Sequence, residues 1–165
     1  MQRDVRAVVD GAVGGGVGTI TMSAVMLAAE QAGLMGDQPP ELITDAALDV
    51  VGAKGAHPDA RRAMSLAAHF GFGIASGGLF GALHRRLADV VNVHPVLTGV
   101  VFGTLVWAVS YMGWVPALSI MPSPDRDRPS RPWAMVIAHW VYGATLGAVL
   151  QRLLRRELRA RRSVP

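Results

Sequence analysis

Four long stretches of this 165-residue chain contain no Asp, Glu, Lys or Arg: Gly11–Ala29, Ala63–His84, Val90–Pro124 and Pro132–Gln151, each 19 residues or longer. An α-helix rises ~1.5 Å per residue, so about 20 residues cross the ~30 Å hydrocarbon core of a bilayer. A charge at mid-membrane costs roughly 2.5–3.5 kcal/mol, which is the pressure that clears such stretches of charge. The gaps predict an all-α membrane protein, one integral membrane domain over residues 1–165, with four transmembrane helices near 12–32, 63–83, 95–115 and 133–153. Composition agrees: 51% of residues are hydrophobic and 17% are charged, against ~25% charged in soluble domains. The first span does not read as a cleaved signal peptide, because its apolar run is too long and its flank (Arg3, Asp4, Arg6, Asp10) mixes signs.

Arginine placement predicts the orientation. The N-terminus, the Leu83–His94 loop and the C-terminal tail together carry ten arginines against four acids, whereas the other side carries six basic residues against eight acids. By the positive-inside tendency, both termini lie in the cytoplasm and the protein is a multi-pass component of the bacterial cytoplasmic (inner) membrane. Trp114 and Trp133 then fall together at the outer interface. Outside the membrane, residues 39–52 predict a short amphipathic helix with Pro at its first turn and Gly52 at its end. Glu41, Asp45 and Asp49 form its acidic stripe, and Leu42, Ala46 and Val50 with Ile43, Ala47 and Val51 form its apolar face. Such a helix lies on the bilayer or over the outer mouth of the bundle. The Pro122–Pro132 segment reads as an extended charged loop. The basic tail, residues 152–165, continues the last span and suits anionic lipid headgroups rather than nucleic acid.

The second and fourth spans repeat at an offset of seventy residues: Ala68-His69 matches Ala138-His139, Gly73 matches Gly143, Gly77 matches Gly147, and Arg85-Arg86 matches Arg155-Arg156. With a weaker Gly18-Thr19 and Gly103-Thr104 correspondence, the chain predicts two parallel helical-hairpin repeats. Every span carries glycines four apart: Gly11/Gly15 and Gly14/Gly18, Gly73/Gly77/Gly81, Gly99/Gly103, and Gly143/Gly147. Glycines at that spacing let helix backbones approach where lipid removes the hydrophobic driving force. They predict a compact bundle, or one that pairs as a homodimer.

His69 and His139 lie on these glycine seams, six residues inside their spans, which is about 9 Å by helix rise. Both imidazoles therefore face the bundle interior at one level, with Glu30 ending the first span near that level and Tyr142 one turn below His139. Ionisable groups inside a membrane are functional candidates. Four uses remain open: a proton-responsive pair, a transition metal held by two nitrogens and an oxygen, haem b with two axial histidines, or hydrogen bonds that only fix packing. His57, His84 and His94 look incidental. No catalytic constellation is present: Ser65, Ser76, Ser110 and Ser119 lack an Asp–His partner pattern, and there is no phosphate loop or HExxH. The absence of cysteine rules out a disulfide scaffold, cysteine-ligated metal and a thiol nucleophile.

Several marks occur in a familiar order. Glu30 ends the first span and Pro39-Pro40 follows; His69 opens the second span; a Gly-rich third span leads to a Pro-containing loop; His139-Trp140 precedes Arg155-Arg156-Glu157-Leu158-Arg159. In this order the chain resembles the YagU-like family of small bacterial inner-membrane proteins, whose activity is not established; residues 34–62 differ most. The resemblance implies an inner-membrane protein with a link to acid tolerance and brings no catalytic residues. The expected role is non-enzymatic, in accessory, transport or stress functions, without a bound cofactor. The alternative is a haem- or metal-binding redox component using His69 and His139.

Overall fold

The structure, a computed structural model, describes residues 1–53 and 55–162, with no side-chain description beyond residue 160. Residues 163–165 of the predicted tail lie outside the described residues. The elements are α1 (Gln2–Gln31), α2 (Pro39–Val50), α3 (Pro58–Ala88), α4 (Pro95–Trp107), a π-helical segment (Ala108–Trp114), α5 (Val115–Ala117) and α6 (Ser130–Arg162). Four helical stretches are long and apolar enough to cross a membrane: Gln2–Gln31, Pro58–Ala88, Pro95–Ala117 and Ser130–Ala160. The helices extend past the predicted spans because the charged flanks, Arg3 to Asp10 and Arg85-Arg86 among them, simply continue the same helices.

Glycine decides which helices touch. On α1, a Cβ added at Gly11 or Gly15 would collide with the carbonyl oxygens of Gly77 and Gly73, so α1 and α3 run antiparallel with backbones in contact. On α4, Gly99 and Gly103 meet the carbonyls of Gly143 and His139 in the same way, closing α4 onto α6. Gly14 and Gly18 take the remaining face of α1, and a Cβ there would stand 2.9 Å from Leu146 and from Tyr142 of α6. The helices therefore follow one another around the bundle as α3, α1, α6, α4. Gly73, Gly77, Gly81, Gly143 and Gly147 all face backbone or side chain of this same chain. The glycine seams thus act within one copy, so they give a homodimer no interface.

The outward face is apolar. Along α4, Leu97, Val101, Leu105 and the following Val109 stand at successive fours with 66%, 55%, 57% and 65% of their surface uncovered. A stripe of that kind is unfavourable against water and suits lipid. Trp133 is exposed beside it on α6.

Where α3 and α4 come together, near the two chain termini, Phe80 packs on Phe102 with ring centroids 5.3 Å apart. His84 Nδ1 lies 3.0 Å from Thr98 Oγ1 in the same place. His84 is thus a buried closing piece, where sequence alone gave it no role. Exposed ion pairs, Arg6 with Glu157 at 3.6 Å and Arg85 with Asp4 at 3.8 Å, tie the same end together, and pairs in that setting contribute little.

At the far end the chain is built differently. The third apolar helix leaves α-geometry at Ala108, and Gly113 sits at φ −107°, ψ −105°. One wider turn carries Tyr111 into the interior, where it is fully buried. Its hydroxyl donates to Asp127, 2.5 Å away. Arg131 Nη1 donates to both Asp127 oxygens at 3.2 Å, and its Nε donates to the Met35 carbonyl at 2.6 Å. The Pro122–Pro132 segment keeps Asp125 and Arg126 exposed but turns two charges inward: the Asp127 and Arg131 side chains are 3% and 8% exposed. On α2, Leu42 and Ile43 of the expected apolar face pack against the core, but the inward face is centred on neighbouring positions. Thr44 and Leu48 are buried, while Val50 and Val51 stand 88% and 73% exposed, and Asp45 of the acidic stripe pairs with Arg61 at 2.6 Å.

Candidate functional site: a histidine-lined cavity

Between α3 and α4, toward the far end, lies a cavity of ≈ 270 Å³. Thr19, Met22 and Met26 of α1 and Met135, His139 and Tyr142 of α6 form its floor. His69 and Phe72 of α3 face Ser110 and Tyr111 of the π-helical segment across it, and Pro39, Pro40, Ile43 and Thr44 of α2 cover its end. The π-helical register that buries Tyr111 also sets this wall, consistent with the frequent use of π-turns at functional positions.

The two histidines meet the cavity with different second nitrogens. His139 Nδ1 lies 2.7 Å from the Met135 carbonyl, one turn back on its own helix. A carbonyl only accepts, so Nδ1 carries the proton and Nε2 presents a lone pair. His69 Nε2 is buried and has no hydrogen-bond partner among the described residues. Its ring stands edge-on to Phe70, centroids 6.2 Å apart. Unpartnered polar nitrogens inside an apolar chamber are costly, and a ligand is one way to satisfy them.

Tyr142 has another task. Its hydroxyl donates to the Gly73 carbonyl at 2.7 Å, and its ring covers Gly18. That bond joins α6 to α3 and separates the cavity from the glycine-sealed half below. Glu30 does not join the group. It is exposed at the end of α1 and accepts a 2.6 Å hydrogen bond from Gln38 Nε2. The predicted convergence of two imidazoles and a carboxylate thus reduces to His69 and His139, with Tyr142 beside them. The helix turn that points α1 glycines inward leaves position 30 outside, and Gln38 holds it there.

Among the described residues, no cluster of three or more His, Asp or Glu could hold a metal ion. Sequence reasoning passed over the methionines of the floor. Met22 and Met26 are one turn apart on α1, and Met135 is one turn before His139; that i, i+4 spacing beside a histidine was the available signal.

Four apolar helices of membrane-crossing length fit a polytopic helical membrane protein. The chain belongs to a family of unknown function, DUF6789, whose family model matches residues 5–160. No curated protein and no solved structure matches it, so no named homologue supports the YagU-like resemblance.

Proposed function

We propose that this is a non-enzymatic ligand-binding protein of the bacterial cytoplasmic membrane, in an accessory, transport or stress role, with both termini cytoplasmic and the His69–His139 cavity in the outer half of the bilayer. One observation carries the proposal: His69 and His139 line the same largely apolar cavity, His139 with its Nδ1 committed to the Met135 carbonyl and His69 with an Nε2 that has no hydrogen-bond partner among the described residues. The parallel repeat supports it, because the same seam histidine occurs once in each hairpin. With Glu30 outside the cavity and the His139 Nδ1 proton held by the Met135 carbonyl, we read the pair as neutral imidazoles that accept a ligand rather than as a proton switch. The acid-tolerance link implied by the YagU-like resemblance then concerns the ligand rather than histidine charge. Lipid around the spans, and anionic headgroups near Arg152, Arg155, Arg156 and Arg159, are the surroundings this reading requires.

The chain has no cysteine, so single cysteines report cleanly. Ser110→Cys on the cavity wall is expected to react with a small membrane-permeant thiol reagent much faster than Ala138→Cys, whose position is fully buried. Equal rates would mean a closed chamber and would remove the proposal. For orientation, an impermeant maleimide applied to intact spheroplasts is expected to label Asp125→Cys but not Asn92→Cys; the reverse pattern inverts the protein.

A further inference from the structure

We propose that the cavity is a site for a soft monovalent metal ion, copper(I), held by Nε2 of His69 and of His139 together with thioether sulfurs of Met22, Met26 and Met135. This rests on the cavity being a ligand site, and it names the ligand.

The imidazoles come first. Metal-bound histidine typically donates its other ring N–H to a carbonyl or carboxylate, which fixes the tautomer and aims the free nitrogen. His139 has that arrangement: Nδ1 lies 2.7 Å from the Met135 carbonyl, and the same residue's side chain lines the cavity. His69 Nε2 is a buried nitrogen with no partner among the described residues. The His139 Nε2 thus carries a lone pair, and His69 brings a second, unpartnered imidazole nitrogen to the wall of the same cavity, which four methionines also line.

The sulfurs choose the metal. Met22, Met26, Met121 and Met135 all line the cavity, and they are 8%, 4%, 4% and 7% exposed. Thioethers are soft ligands that favour Cu(I), whereas carboxylate and water suit harder ions. Charge gives the same answer independently. Among the described residues no Asp or Glu lines the cavity, and neutral nitrogen and sulfur ligands cancel none of the ion's charge. The cost of desolvating an ion rises with the square of its charge, so a neutral, apolar chamber disfavours a divalent ion far more strongly than a monovalent one. Zinc also lacks thiolates, since the chain has no cysteine. Thr19 and Ser110 hydroxyls supply nothing that would reverse that preference.

The test uses the full chain in lipid nanodiscs under anaerobic, reducing conditions, with Cu(I) titrated against a colorimetric Cu(I) chelator and Zn(II) as the divalent control. One Cu(I) per chain and no retained Zn(II) are expected. His139→Ala and His69→Ala should each weaken binding at least tenfold. The triple variant Met22→Leu/Met26→Leu/Met135→Leu should do the same while melting close to the parent, because Leu for Met conserves volume. X-ray absorption at the copper edge of the unmutated protein gives the second readout: sulfur and nitrogen scatterers bonded to copper are expected. Failure to retain Cu(I), equal retention of Zn(II), unchanged binding in the triple variant, or a copper spectrum without sulfur would each overturn the proposal. If any of these occurs while Ser110→Cys stays reactive, the cavity remains a ligand site and only the metal is wrong; an unreactive Ser110→Cys removes the site itself.

Discussion

The two ends of this bundle solve the same problem, holding helices together in lipid, by opposite means. Near the termini, glycines bring backbones into contact: Gly11 and Gly15 against Gly77 and Gly73, Gly99 against Gly143, with Phe80 packed on Phe102. At the far end the side chains are large. Helices there stand off from each other around a chamber, and hydrogen bonds and charge hold them, through Tyr111, Asp127 and Arg131. Van der Waals contact between small residues gives stability by direct backbone approach. A wide-turned helix and a buried ion pair give room at the cost of desolvating charge. Tyr142, bonded to the Gly73 carbonyl, marks the boundary between the two regimes.

The largest effect should come from the tight half. Gly77→Leu places a side chain against the backbone of Gly11 and Gly15, which no rotamer change relieves. A loss of more than ~3 kcal/mol is expected, enough to prevent a monodisperse peak in detergent. Gly71→Leu is the control, since nothing lies within 4 Å of a Cβ there; equal behaviour of the two would mean the seam is not close-packed. In the open half, Arg131→Leu leaves the Asp127 carboxylate buried without its cation, and a loss of about 3–5 kcal/mol is expected by denaturant titration. The double variant Asp127→Leu/Arg131→Leu should recover much of that; no recovery would show that the pair does not act as a unit. Tyr142→Phe, at the boundary, deletes one bond to a buried carbonyl and should cost about 1–2 kcal/mol in the same titration. Glu30→Gln should change stability by less than ~0.5 kcal/mol and leave the Ser110→Cys reaction unaltered; a large loss of reactivity would return Glu30 to the site.

The difference between the halves also explains what could be seen in the sequence. The tight half was legible because its determinants are periodic: charge-free runs of membrane length, and glycines four apart on faces that meet. His69 and His139 were legible for the same reason, as they continue those seams. The open half depends on departures from periodicity. A π-turn rotates Tyr111 inward by a shift that helical spacing does not encode, and Asp127 finds it across sixteen residues of chain. Arg131 reads as a surface charge until its loop folds over Met35. Glu30 fails in the opposite direction: its position matched the histidine level along the membrane normal, but helix rotation, which rise alone does not give, put it outside. On α2, Leu42 and Ile43 of the expected apolar face pack on the core, whereas the burial of Thr44 and Leu48 beside them was not legible from the acidic stripe.

The central claim is that His139 offers an unprotonated Nε2 to the cavity because its Nδ1 proton is committed to the Met135 carbonyl. Nitrogen-15 NMR of histidine-labelled protein in nanodiscs at neutral pH measures this directly. The account predicts a neutral His139 ring with Nδ1 protonated and Nε2 bare, and a shift of the Nε2 resonance when Cu(I) is added. A ring protonated at Nε2, or one whose Nε2 resonance is indifferent to every added ligand, would contradict it.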